Sequence, residues 1–239
     1  MSLFEFRRIV RLNGLAVTEE QFAQLERYVG LLLDWNGKIN LISRRDQENV
    51  WFAHMLHSVS PWFFVDLAPG LRVLDLGTGG GLPGIPLAVL RPDLKLTLLD
   101  SIRKKVDAVR QMAGELGLTN VDAVVGRAEE IGREANHRHS YDVVIARAVA
   151  RLTDLTKWSR PFLKDGRGWG QTPSGDMQVR VAGTRIDGPC LLTLKGGDLE
   201  GEVREATVRG ARVQVVPLVF PGSEQIGLEE KKLLIVRVR

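Results

Sequence analysis

A chain of 239 residues that is 44% hydrophobic and 26% charged has the composition of a globular protein with room for a sizeable core. No run approaches 18 apolar residues, the start Met-Ser-Leu-Phe-Glu-Phe-Arg-Arg lacks the order of a secretory signal, and a single cysteine, Cys190, excludes an intrachain disulfide or a Cys-rich metal site, so the cytoplasm is the expected compartment. The net charge of +4 is uneven: residues 1–100 carry 10 Lys/Arg against 11 Asp/Glu, and residues 101–239 carry 23 against 18, a modest lean toward a polyanionic partner.

In chain order, Thr18-Glu-Glu-Gln21 reads as a capping box, and Phe22, Leu25, Val29, Leu32 and Leu33 follow at helical spacing. Asp46 or a neighbour is placed to cap another helix through Val50, His54 and Ser58, ending before Pro61. After Pro69-Gly70 the pattern becomes strand–helix alternation. Strands are predicted at 72–76, 95–100, 121–125, 141–146 and 190–194, with helices near 83–90, 102–116 and 152–163. Two last strand-like runs, 213–219 and 233–238, suit an antiparallel pair at one sheet edge. The expected fold is therefore α/β, a mostly parallel sheet with helices on both faces, preceded by a helical extension over residues 1–69. Residues 167–188 interrupt this 70–239 domain with Gly, polar residues and Arg. They read as a surface insertion contributing little to the core. Within them, 177–182 is a candidate hairpin with Arg185 and Ile186, and Arg167, Trp169, Arg180 and Arg185 make the segment a candidate substrate arm.

The stretch Arg72-Val-Leu-Asp75 breaks into Gly77-Thr78-Gly79-Gly80-Gly81 before a new apolar segment opens at Leu82-Pro83. That is a strand, a turn too tight for side chains, and a helix start with free N–H groups, the setting for a nucleotide-like ligand. Asp100, at the end of the next strand, is placed to take ribose hydroxyls. The glycine spacing fits GxGxG as well as GxGxxG, so it leaves NAD and S-adenosylmethionine both open.

An ordered set of segments goes further. Asn40-Leu41 with Arg45-Asp46, the stretch around His54, Leu74-Asp-Leu-Gly-Thr-Gly-Gly-Gly-Leu-Pro-Gly84, Leu99-Asp100-Ser101 with Lys104-Lys105, Gly126-Arg127-Ala128-Glu129-Glu130, Ser140-Tyr-Asp-Val-Val144 with Ala146-Arg147-Ala148, and Leu194-Lys195-Gly196 together resemble the bacterial small-subunit rRNA guanine-N7 methyltransferase G family, also called glucose-inhibited division protein B. The resemblance spans nearly the whole chain except 167–188. It implies a Rossmann-like class I methyltransferase sheet with an N-terminal helical extension, S-adenosylmethionine as cofactor and 16S rRNA of the small ribosomal subunit as substrate, with no metal and no membrane partner.

Carried over by resemblance, Gly77 and Leu82 line the methionine and ribose end of the cofactor, with Gly79 and Gly81 in the same loop. Asp100 takes the ribose, Ala128 and Glu129 frame the adenine, and Arg147 occupies a cofactor-site position that also suits the RNA. Arg45, His54, Lys104, Lys105 and Lys195 are the further candidates for the substrate RNA. The chain departs from the family pattern at Ala53 and His57, where Arg and Asp usually flank the histidine. Guanine N7 carries a free lone pair, so methylation there needs alignment and no general base. No catalytic dyad is expected, and a monomer is. Two rival readings are a non-catalytic RNA-binding ribosome assembly factor, which has no need of a cofactor cleft, and a methyltransferase for another substrate.

Overall fold

Capping boxes set the first two helices. In the computed structural model, which describes residues 2–147, 149–165, 184–224 and 230–237, α1 (Leu3–Leu12) starts where Ser2 and Glu5 satisfy each other's backbone N–H. In α2 (Glu19–Asn36), Thr18 and Gln21 do the same. The predicted apolar stripe of α2 is buried at Phe22, Leu25, Val29 and Leu32, and Tyr28 joins it.

The next helical stretch differs from its prediction. It is an irregular run of a 3-10 segment (Arg44–Asn49), a wide π turn (Trp51–Leu56), the short α3 (His57–Val59) and a second 3-10 segment (Ser60–Phe63). Ser43 caps it by accepting from the Arg45 N–H at 3.3 Å, which leaves Asp46 free for another contact. Pro61 lies inside the run, in the first turn of the last segment, where no N–H is needed.

The remaining elements are β1 (Val65–Leu67), β2 (Arg72–Leu76), α4 (Gly84–Leu90), β3 (Lys95–Asp100), α5 (Arg103–Glu115), β4 (Val121–Val125), α6 (Ala128–Ile131), β5 (Val143–Arg147), α7 (Leu152–Ser159), β6 (Thr184–Ile186), β7 (Cys190–Gly196), α8 (Glu200–Val208), β8 (Arg212–Pro217) and β9 (Lys231–Arg237). Seven strands form one sheet in the order β4-β3-β2-β5-β7-β9-β8. All pairs are parallel except β7–β9 and β8–β9, the antiparallel edge anticipated from the last two apolar runs. α7 ends at Ser159, earlier than predicted; Pro161 lies just beyond, a residue with no N–H to continue a helix.

The sheet is apolar on both faces with a period of two. Val73, Val143, Ile145 and Leu192 pack in one layer with α1, α2, α4 and α5. Leu74, Val144, Ala146 and Leu191 pack in the other with α6, α7 and α8. The first layer is continuous from Phe6 to Ile235, so the N-terminal helices and the sheet share one core. Cys190 is buried in β7, and burial pushes its thiol up to about 12.

One expectation for 167–188 is corrected at its C-terminal end. Thr184–Ile186 pairs in parallel with β1, Leu67 against Ile186, and although Thr184 and Arg185 are exposed, Ile186 is buried in the core. Residues 167–183, including the expected hairpin at 177–182, lie outside the described residues.

Candidate active site

The order of strands reverses between β2 and β5, where β3 leaves to one side and β5 to the other, and open α/β sheets take their ligands at such a switch point. A cavity of about 460 Å³ lies there, at the C-terminal ends of β2, β3 and β5.

One wall is the glycine loop. The Gly77 and Thr78 amides donate to the Leu99 carbonyl at 2.8 and 3.0 Å, and the Gly79 amide donates to Asp100 Oδ2 at 3.0 Å. Asp100 Oδ1 accepts from the Ile102 N–H at 2.9 Å. Gly77 has φ +74°, and a Cβ there would stand 2.7 Å from Val149 Cγ2, so the Val149 side chain at the β5 exit packs directly on the loop backbone. Gly84 opens α4 against β3, and a Cβ there would lie 2.2 Å from Leu98 Cδ2.

The start of α4 is not left open to a ligand as its sequence suggests. The Gly84 amide donates to Asp75 Oδ2 at 2.9 Å, and Thr78 Oγ1 donates to the same oxygen at 2.7 Å. Asp75 is fully buried, and burial outweighs those two bonds and lifts its carboxyl to about 6. The anion of this helix start is thus the protein's own carboxyl.

The opposite wall comes from the N-terminal helices. Asn36 Oδ1 accepts from the Leu41 and Ile42 amides at 2.8 and 2.9 Å and presents both residues, with Ser43, to the cavity. The Tyr28 hydroxyl donates to the Gly80 carbonyl at 2.8 Å, and burial pushes its phenol up, so it stays a donor. Arg147, at the end of β5, donates from Nη2 to His54 Nδ1 at 2.9 Å and from Nη1 to the carbonyls of Ala53 and His54 at 3.4 Å. An arginine only donates, so Nδ1 accepts, and the proton of the neutral ring sits on Nε2, which faces Asp46 Oδ2 across 3.3 Å. Burial and then the Arg147 charge lower His54 to about 4, against the pull of Asp46. Burial also lowers Arg147, opposed by Tyr28, Asp75 and Asp46.

Of the residues singled out in the sequence, Gly77, Gly79, Leu82, Asp100, Ala128, Glu129, Arg147, His54 and Lys105 all line this cavity. Gly81 stands behind the loop, where a Cβ would lie 2.6 Å from Ile85 Cδ1. Arg45 and Lys104 are exposed outside the cavity. Lys195 lines a second, smaller cavity and donates 2.9 Å to the Ala150 carbonyl beside an ion pair of 2.6 Å with Glu202. Ile42, Ser43, Val149 and Trp158 also line the site without having been singled out; the first three adjoin quoted segments, and nothing in the sequence marks Trp158. Among the described residues no His/Cys/Asp/Glu group is arranged to hold a metal ion, and no helix is long and apolar enough to cross a membrane.

A family model described as rRNA small subunit methyltransferase G matches residues 21–170. Proteins named ribosomal RNA small subunit methyltransferase G are similar to this chain. One from Moorella thermoacetica is 39% identical over 94% of this chain and 85% of its own length. One from Lactococcus lactis subsp. lactis is 34% identical over 95% and 90%, and one from Deinococcus radiodurans is 48% identical over 64% and 59%. Among solved structures, a Corynebacterium glutamicum protein covers 100% of this chain and 98% of its own with a TM-score of 0.53 at 14% identity, a likeness of fold.

Proposed function

This chain belongs to the rRNA small subunit methyltransferase G family, and we propose that it transfers a methyl group from S-adenosylmethionine to N7 of a guanine in 16S rRNA of the small ribosomal subunit, a cytoplasmic partner. The observation that carries this reading is that every residue lining the cavity at the switch point, from Leu41 to Trp158, falls inside the matched span 21–170.

The residues of that cavity suit the cofactor. Each Asp100 oxygen accepts one backbone N–H, which leaves lone pairs for the two ribose hydroxyls. Ala128 and Glu129 would frame the adenine, Gly77 and Leu82 the methionine end, and Leu41, Ile42, Leu76, Leu99 and Trp158 supply apolar surface. When bound, S-adenosylmethionine supplies a methyl group already made electrophilic by its sulfonium. Guanine N7 carries a free lone pair, so a methyl transfer to it would require no proton to be removed. His54 fits that demand, because Nδ1 is taken by Arg147 and Nε2 faces Asp46. The task of this chain is to hold and align the two partners and to keep water out. Arg45, Lys104 and Lys105 flank the cleft as phosphate contacts, whose contribution falls with salt.

Asp100→Ala is expected to weaken S-adenosylmethionine binding by tenfold or more in calorimetry, in keeping with about 1.5–3 kcal/mol for hydrogen bonds to a charged group, while the protein still unfolds cooperatively. Label from methyl-labelled cofactor is expected in the rRNA of small subunits, recoverable as 7-methylguanine. Unchanged affinity in the variant, or label recovered only from protein or small molecules, overturns the proposal.

A further inference from the structure

Beside the switch-point cavity, beyond Val149, lies another of about 190 Å³ at the C-terminal ends of β5 and β7. Among the described residues Val149 alone lines both, and it is the residue that stands against Gly77. This second cavity is smaller than the roughly 300–1,000 Å³ of sites for drug-sized ligands. It is, however, furnished with polar groups that have nothing to bind. Thr193 is 1% exposed, and its Oγ1 has no hydrogen-bond partner among the described residues. His57 Nε2 is buried and equally without a partner. Buried polar atoms are nearly always satisfied, so two orphans lining one small cavity point to an occupant.

The other polar groups are cationic. Lys195 uses two of its donors on Ala150 and Glu202, and an ammonium has three. Lys231 lies across Gly196, where a Cβ would stand 2.9 Å from its Nζ, and it makes no ion pair among the described residues. Burial, helped by the charges of Arg147 and Lys231, lowers His57 to about 3. Its imidazole is therefore neutral, with one nitrogen able to accept.

We propose that this cavity seats the target base of the RNA, an unstacked guanine, with the ammonium groups of Lys195 and Lys231 facing O6 and the paired orphans His57 Nε2 and Thr193 Oγ1 receiving the N1–H and 2-amino edge. The assignment rests on the methyltransferase reading above. O6 and N7 share one edge of guanine, so a base held by O6 at the β5 and β7 exits turns N7 toward Val149 and the cofactor side. Adenine would set an amino group against the two ammonium groups and offers neither an N1–H nor a 2-amino donor to His57 and Thr193, a rejection stronger than shape alone provides. The base must leave its stack to enter, and a site that binds its hydrogen-bonding edge offsets that cost.

The test uses the full-length protein, methyl-labelled S-adenosylmethionine and small ribosomal subunits, comparing wild type with Thr193→Val, His57→Leu and His57→Gln. Thr193→Val is isosteric and removes an orphaned buried hydroxyl, so its Tm is expected to hold or rise. Both apolar variants are expected to lower kcat/KM for the subunit at least tenfold, with cofactor Kd in calorimetry within twofold of wild type, and His57→Gln to recover much of the loss. Wild-type transfer together with wild-type kcat/KM in Thr193→Val and His57→Leu overturns the base-site assignment alone. A parallel loss of cofactor affinity in both also overturns it, since the groups would then be structural. Absence of transfer to subunits by the wild-type protein overturns the methylation reading and this assignment with it.

Discussion

The wall formed by the glycine loop and the end of β3 is backbone laid against backbone, whereas the opposite wall is a set of side chains drawn from elements as far apart as His54 and Arg147, 93 residues in sequence. In the first, amides of Gly77, Thr78 and Gly79 reach the Leu99 carbonyl and Asp100, and the absence of side chains is what permits the contact. In the second, Asn36 holds the Leu41 and Ile42 amides while Arg147, His54 and Asp46 form a chain, and removing any of these side chains leaves a polar partner unmatched. The first wall should therefore fail when atoms are added, and the second when atoms are taken away.

The largest effect is expected from adding atoms. Gly84→Val places a branched side chain where even a Cβ meets Leu98 at 2.2 Å and Asp75 Oδ2 at 2.6 Å. Overpacking of this kind costs about 1–3 kcal/mol or more, and in a chain of this size the melting temperature should fall by roughly 5–10 °C. A variant melting with wild type would mean that α4 can slide off β3, and the contrast between the walls would be lost.

The intermediate effect belongs to the side-chain wall and depends on pH. Burial and the Arg147 charge lower His54 from the ordinary 6.5 to about 4 in the fold, so below pH 6.5 the unfolded chain takes up a proton that the folded one refuses. The stability this contributes is fully present above pH 6.5 and is lost as the pH falls to 4. In His54→Gln, which keeps a donor and an acceptor but does not titrate, the stability difference from wild type is expected to move by about 2 kcal/mol in the variant's favour between pH 7 and 4. Urea unfolding of both proteins at the two pH values reads this directly. A constant difference would place His54 in contact with solvent and dissolve the proposed chain from Arg147 to Asp46.

The smallest effect sharpens the comparison at the seam between the walls. Tyr28→Phe removes the hydroxyl that ties α2 to the Gly80 carbonyl and leaves that carbonyl unpaired in a buried setting, at about 1 kcal/mol. Cofactor affinity should fall a few-fold alongside a drop in melting temperature of roughly 2–4 °C. Unchanged affinity with the same loss of stability would show that the walls work independently.

The same division explains what could be read in advance. The strands at 72–76, 95–100 and 121–125 coincide with β2, β3 and β4, and both ends of the capping box at Thr18 and Gln21 are satisfied. These follow from periodicity and from hydrogen bonds closed within a few residues. The glycine loop and Asp100 were legible for the same reason, since strand, turn and strand end are all local. The irregular run at 44–63 was misread because its caps are weak and Pro61 sits where a short 3-10 segment needs no N–H. The pairing of Val65–Leu67 with Thr184–Ile186 was missed because nothing in either triplet specifies a partner so distant in sequence. Likewise, a tyrosine within an apolar stripe does not announce that its hydroxyl will hold a glycine loop.

By itself the sequence determined the alternation of strands and helices, the loop that admits a ligand and the acid beside it, because each depends on neighbours along the chain. Only the tertiary structure decided that the helix start behind the loop would be closed by Asp75, that His54 would be a neutral acceptor for Arg147, and that His57 and Thr193 would line one cavity with two lysines. Those outcomes depend on burial and on which side chains the packing brings within 3 Å, and both are properties of the folded core.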